Sequence, residues 1–209
     1  MLRFNSSLSA AGASGTTYNY ESTYGTPDYT ITTFTSTGTG VTGSTDVIVA
    51  VDANIAGTDD GVLFEFGGSG GSGFSAGVNN GTLRARAFGS TGDAAFGAFE
   101  GHASVEVSIS AYTGSTATYY FVVDQSTYTL TVYVQPGGVD STSQIVQLGT
   151  DTADGSTTDV YGTNPKGYGR NNSGIADLGV SYEVNFNGTL DEIRVWTEDA
   201  TLDVSGFGS

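Results

Sequence analysis

Tyr182-Glu183-Val184-Asn185-Phe186-Asn187-Gly188-Thr189-Leu190-Asp191-Glu192-Ile193-Arg194-Val195-Trp196 reads as two strands joined by a tight turn. Val180, Tyr182, Val184 and Phe186 alternate with Ser181, Glu183 and Asn185, the period of a strand with one buried face. Asn187-Gly188 tolerates positive φ and turns the chain into Thr189–Trp196. Asp191, Glu192 and Arg194 are expected to form a charged network at the entrance of that second strand, a structural role. Asp191 and Glu192 are adjacent, so their side chains point to opposite faces.

The same patterning extends backwards along the chain. Tyr128 to Val134 points Leu130, Val132 and Val134 inward, after a turn at Asp124-Gln125-Ser126-Thr127. Tyr119 to Val123 is apolar on both faces, which predicts a central strand. Val105 to Ala111 alternates, as does Asp46 to Asp52 through Val47, Val49 and Val51. Thr82 to Phe88 places two arginines on the face opposite Leu83, Ala85 and Ala87. Asn79-Asn80-Gly81 is a hairpin turn between it and Phe74–Val78. Val62–Phe66, Tyr29–Thr35 and Ile145–Leu148 read as further strands. With about ten to thirteen short strands, turn signals between them and no helix pattern, the fold class is all-β: an antiparallel sandwich or barrel. No fixed-period repeat is present.

Composition agrees. Gly supplies 32 of 209 residues and charged residues only 13%. Twelve Tyr and eleven Phe stand against three Pro and one Met, material for strands and tight turns rather than helices. There is no cysteine, so disulfides are excluded. The net charge of −16, with six basic residues, leaves no basic patch for nucleic acid and disfavours anionic membranes. No stretch approaches a membrane span. Met1-Leu2-Arg3-Phe4-Asn5-Ser6-Ser7 lacks an apolar run of signal-peptide length, which points to an unprocessed chain carried in a larger particle.

The closing run resembles the last strand pair of concanavalin A-like, laminin-G-type jelly rolls. Those often end in Phe-x-Gly-x-hydrophobic-Asp-Glu-hydrophobic-Arg-hydrophobic-aromatic. Gly61–Gly68, the Phe74–Leu83 hairpin, the Tyr119–Val134 pair and the opening Leu2-Arg3-Phe4-Asn5 are similar to earlier family segments, in order. The likeness is good over 45–135 and 178–200 and poor over 5–40 and 140–178. It implies a jelly-roll sandwich over 41–204, with an N-terminal arm or strand extension at 1–40 and a tail at 205–209.

Catalytic sets are missing. Glucanases of this fold carry a Glu-x-Asp-x-(x)-Glu strand motif; this sequence has none, and Glu65, Glu106 and Glu183 stand alone on their strands. The one histidine, His102, sits in a loop, so no Ser-His-Asp set is indicated. Gly68–Gly73 satisfies G-x-G-x-x-G, but a strand rather than a helix follows, which rejects a dinucleotide site.

Binding residues are better represented. Tyr161, Asn164, Tyr168, Arg170, Asn171 and Asn172, in the loop region 149–178, are the glycan candidates, against a packing or subunit-contact role. Aromatics stack on sugar faces while amides and charged groups bond hydroxyls. Trp196 and Tyr133 are expected to be packed. The family likeness implies a loop calcium; Asp59 and Asp60, or Asp151, Asp154 and Asp159, are the candidate ligands, against solvated acidic loops.

The function expected is a non-enzymatic virion surface protein, a phage capsid decoration, knob or fibre component. It would dock on capsid or tail proteins and on itself as a homo-oligomer, through residues 5–40, with loops touching host glycans. The alternative is a secreted or cell-surface bacterial lectin module.

Overall fold

The computed structural model describes residues 29–32, 46–67, 73–88, 102–138, 141, 143–153, 167–169, 178, 181, 182 and 184–198. They form β1 (Tyr29–Ile31), β2 (Asp46–Asn54), β3 (Asp60–Gly67), β4 (Gly73–Asn79), β5 (Thr82–Phe88) and β6 (Ala103–Ser108). A short 3₁₀ turn at Ser110–Tyr112 follows. The remaining strands are β7 (Thr116–Asp124), β8 (Thr129–Pro136), β9 (Val146–Thr152), β10 (Gly167–Tyr168) and β11 (Thr189–Glu198).

They pair into a six-stranded sheet, β1-β11-β2-β7-β8-β9, and a five-stranded sheet, β10-β3-β4-β5-β6. The two sheets make the expected all-β antiparallel sandwich. Alternation does the work: Val47, Val49 and Val51 of β2, Phe121 and Val123 of β7, and Leu130, Val132 and Val134 of β8 face Phe64, Phe74, Ala76, Leu83 and Ala85 across a buried interior. Each large side chain so buried contributes roughly 1.5–3 kcal/mol. The sheets meet along β6 and β9, where Ser104 N donates to Asp151 Oδ2 at 2.8 Å. Gly149 permits that approach, since a Cβ there would lie 2.8 Å from Val105 Cγ1.

β7 is central, between β2 and β8, as its two apolar faces predict. Asn80 and Gly81 have φ of 46° and 72°, the left-handed pair a two-residue hairpin turn requires. Trp196 and Tyr133 are buried, as expected.

Four boundaries differ from expectation. β6 ends at Ser108 rather than Ala111, because Ile109 N leaves the ladder to donate to Gly81 O at 2.8 Å. β9 continues to Thr152, through residues too polar to read as a strand. β1 covers only Tyr29–Ile31. Residues 182–186 are not a partner strand for β11, which pairs with β1 and β2 instead. Their backbone bonds go elsewhere: Val62 N donates to Val184 O and Phe186 N to Gly169 O. Except for 29–32, the expected arm at 1–40 lies outside the described residues, as does the tail at 205–209.

Of the expected charged network, Glu192 and Arg194 pair, and Asp52 joins them as an unforeseen member, while Asp191 is exposed. Arg194 Nη2 lies 2.6 Å from Asp52 Oδ2, and its Nε lies 3.0 Å from Glu192 Oε1. Thr118 Oγ1 donates to Asp52 Oδ1. This cluster sits on the outer face of the six-stranded sheet, where Ile48, Ala50 and Tyr120 are also fully buried. Desolvation pushes the Asp52 carboxyl above its ordinary value, against the pull of Arg194. A carboxyl raised on folding contributes stability that is present in full below its unfolded pKa and is lost as pH rises through the folded one. In urea unfolding, acidification from pH 7 toward about pH 4 should therefore stabilise the native chain relative to its Asp52→Asn variant. A difference between the two that does not change with pH would contradict this.

Candidate functional site

The outer face of the five-stranded sheet is built from cross-strand rows, because antiparallel partners share a face. The first row is Asp60, Asn79, Thr82 and Ser108; the second is Val62, Gly77, Arg84 and Glu106. A bulge between Val62 and Phe64 shifts the register, so the third is Glu65, Ser75, Arg86 and Ser104. β10 extends it, with Gly167 opposite Glu65.

The second row is covered by the chain around 178–186. Leu178 and Tyr182 pack on Val62. Arg84 binds this cover two ways: Nη1 donates to Leu178 O at 2.6 Å, and the guanidinium stacks 4.7 Å from the Tyr182 ring centre, while Nε donates to Glu106 Oε2 of its own row at 2.6 Å. Burial and then Glu106 push the Tyr182 phenol up, while Arg84 pulls it down. Gly77 is required beneath: a Cβ there would lie 3.0 Å from Gly61 O and 3.1 Å from Leu178 Cδ1. Arg84 is thus a structural residue.

The third row is chemically different. Glu65, Ser75 and Arg86 are buried yet polar, side by side on neighbouring strands. The Ser75 hydroxyl is fully buried and has no hydrogen-bond partner among the described residues. An unmade bond of that kind costs about 1–3 kcal/mol, and native proteins keep few of them.

Of the predicted glycan residues, the structure describes only the backbone of Tyr168. It pairs with Phe64 in β10, directly beside the Glu65 row. Tyr161, Asn164, Arg170, Asn171 and Asn172 lie outside the described residues. Sequence patterning had already put both arginines of β5 on one face, but it isolated Glu65 and overlooked Ser75. Only the register across β3, β4 and β5 brings the three together.

The predicted calcium ligands that the structure describes, Asp59, Asp60 and Asp151, make hydrogen bonds within the chain. Asp59 Oδ2 accepts from Ala56 N at 2.7 Å, and Asp60 Oδ1 accepts from Asn80 N at 3.1 Å. Asn187 Oδ1 accepts from Asp60 N at 2.8 Å, which ties β3 to the approach to β11. Asp151 bonds to β6 on the sheet junction instead. Asp154 and Asp159 lie outside the described residues. Calcium takes six to eight oxygens; no group of three acidic or histidine residues able to hold a metal occurs among the described residues.

The same arrangement of strands occurs in solved structures. Ruminococcus gnavus IT-sialidase CBM40, bound to alpha2,6 sialyllactose, is similar over 86% of this chain and 96% of its own, at 12% identity and a TM-score of 0.52. The NanB sialidase of Streptococcus pneumoniae is similar over 86% of this chain but only 27% of its own, at 15% identity and a TM-score of 0.51. Mouse laminin alpha1 chain, domains LG4-5, is similar over 85% of this chain and 44% of its own, at 14% identity and a TM-score of 0.48. The fold is a concanavalin A-like jelly roll. No protein-family model matches the sequence, and no curated protein sequence matches it.

Gly77→Val should disturb the cover on the second row without touching the third. We expect a loss of about 1–3 kcal/mol in chemical denaturation, the usual range for forcing extra methyls into a filled site. Thr82→Val, on a part-exposed position of the same face, should stay within about 0.5 kcal/mol. Equal effects from the two would contradict the packing described.

Proposed function

We propose that this chain is a glycan-binding, lectin-like domain that does not turn its ligand over. The observation that carries the reading is the buried polar row Glu65–Ser75–Arg86, with an unpaired hydroxyl at its centre and β10 at its flank. Carboxylate, hydroxyl and guanidinium in line are the groups that bond sugar hydroxyls. Likeness to a carbohydrate-binding module with bound sialyllactose supports the class of ligand by analogy of fold. The absence of the paired strand carboxylates that glycosidases of this fold use supports binding without hydrolysis.

A glycan array probed with the isolated chain, followed by calorimetric titration of α2,6-sialyllactose and neutral oligosaccharides, tests this. Ser75→Ala removes the hydroxyl that has no hydrogen-bond partner among the described residues. It should leave thermal stability unchanged or raised, and weaken binding about tenfold, equal to 1.4 kcal/mol. Wild-type chain that binds no glycan, or that releases free sugar from one, would sink the proposal.

The setting we propose is a virion surface, with a secreted or cell-surface module as the alternative. The acidic, Gly/Thr/Ser-rich, cysteine-free chain supports the first; likeness to a module of a sialidase supports the second. Mass spectrometry of purified particles should find the chain at fixed stoichiometry. Its absence from particles, with recovery from culture medium, would decide for the alternative.

A further inference from the structure

Two aromatic residues, Phe88 and Tyr128, hold left-handed backbone conformations, with φ of 72° and 53°. Glycine and asparagine enter that region freely; a bulky L-residue does so at a cost. Phe88 offsets the strain by burial, being fully inaccessible in the core. Tyr128 does not. It closes the β7–β8 connection, is 37% exposed, and is one of the exposed large apolar residues of the described chain.

Its ring is nevertheless held in place. The Phe88 ring meets it edge to face, with centroids 5.5 Å apart and planes at 74°. Its carbonyl accepts from Ala153 N at 2.9 Å, which ties the turn to the end of β9. The turn itself is stiffened from the other side, where Asp124 Oδ1 accepts from Ser126 N, Ser126 Oγ and Thr127 N. Thr127 and Thr129, its neighbours in the chain, begin a line of hydroxyls. Thr127 Oγ1 donates to Thr129 Oγ1 at 3.1 Å, which lies 3.0 Å from Thr152 Oγ1.

We propose that Tyr128 is a stacking platform for an uncharged pyranose, a contact separate from the Glu65–Ser75–Arg86 row. This rests on the glycan-binding reading above. A pre-ordered ring presents its face to the sugar's C–H groups with little conformational entropy left to lose. The threonine hydroxyls of the same turn and of the end of β9 offer donors and acceptors. Asp124 adjoins the turn, and Gln125 N donates to Asp46 Oδ1 at 2.7 Å. These carboxylates disfavour an anionic sugar at this end and select a neutral one.

Tyr128→Gly separates the platform from the fold. Glycine relieves the backbone strain but removes the ring's contact with Phe88, so the two effects offset and the melting temperature should shift by less than about 4 °C. Affinity for the neutral probes maltotriose, cellotriose or mannotriose, whichever the wild type binds, should fall at least about fivefold. Tyr128→Trp should retain binding. Unchanged affinity in Tyr128→Gly, with Ser75→Ala still impaired, would overturn this proposal and leave the domain reading intact. Wild-type chain that binds no glycan would overturn the domain reading itself.

Discussion

Phe64 meets Phe74 in its own sheet at 4.9 Å and Phe121 in the facing sheet at 5.1 Å, edge to face in both cases. This contact ties the two layers together at the centre of the sandwich. It also decides which side of β3 faces out. In a strand, a residue that puts Phe64 inward puts Glu65 outward. The bulge just before it lets Leu63 and Phe64 both enter the core, and returns Val62 to the outer face. Without the bulge, Val62 and Phe64 would share a face, and Glu65 would fall out of line with Ser75 and Arg86. The polar row is thus a consequence of how the core is filled.

Most of this fold was legible because burial on one face writes itself into alternation. Val47, Val49 and Val51, or Leu130, Val132 and Val134, admit one reading each, and Asn80-Gly81 dictates its own turn. The failures share a different cause. Val180 to Phe186 alternates as well as any strand, yet the described Val184 and Phe186 bond at Val62 and Gly169 rather than to β11. Alternation reports which side chains are buried, not where the amides bond. β9 was cut short for the opposite reason: at the sheet edge, Gly149, Thr150 and Asp151 carry little apolar signal, yet β8 supplies the ladder. The candidate site was half legible. The shared face of Arg84 and Arg86 follows from period 2, but their division into one clamp and one site residue depends on register and on a bulge that no local pattern announces.

The two sheets handle buried polarity differently. On the six-stranded sheet, Asp52, Arg194, Glu192 and Thr118 bond to one another, and Tyr120 Oη donates to Gln135 Oε1 at 2.6 Å. Such a cluster contributes little net stability, because desolvation offsets the attraction, but losing one member strands the others. Pairing makes that face a fixture of the fold. On the five-stranded sheet the Ser75 hydroxyl is left without such a partner among the described residues. A buried group that costs stability and bonds no described residue is the kind a ligand completes.

Net charge narrows what such a ligand can be. With 22 acidic and six basic residues, the chain repels polyanions at a distance, where screening leaves only the nearest charges to act. An acidic sugar would have to be held at short range by a guanidinium, and Arg86 is the arginine that the register places next to Ser75. A neutral sugar meets no such barrier and needs only a flat apolar surface with hydroxyls at its side. In the proposal above, Tyr128 is that surface, at the end of the sandwich where Asp46 and Asp124 lie and β5 runs out. The proposed division of the surface follows the same electrostatics, with charge recognition assigned to one buried row and stacking to the acidic end.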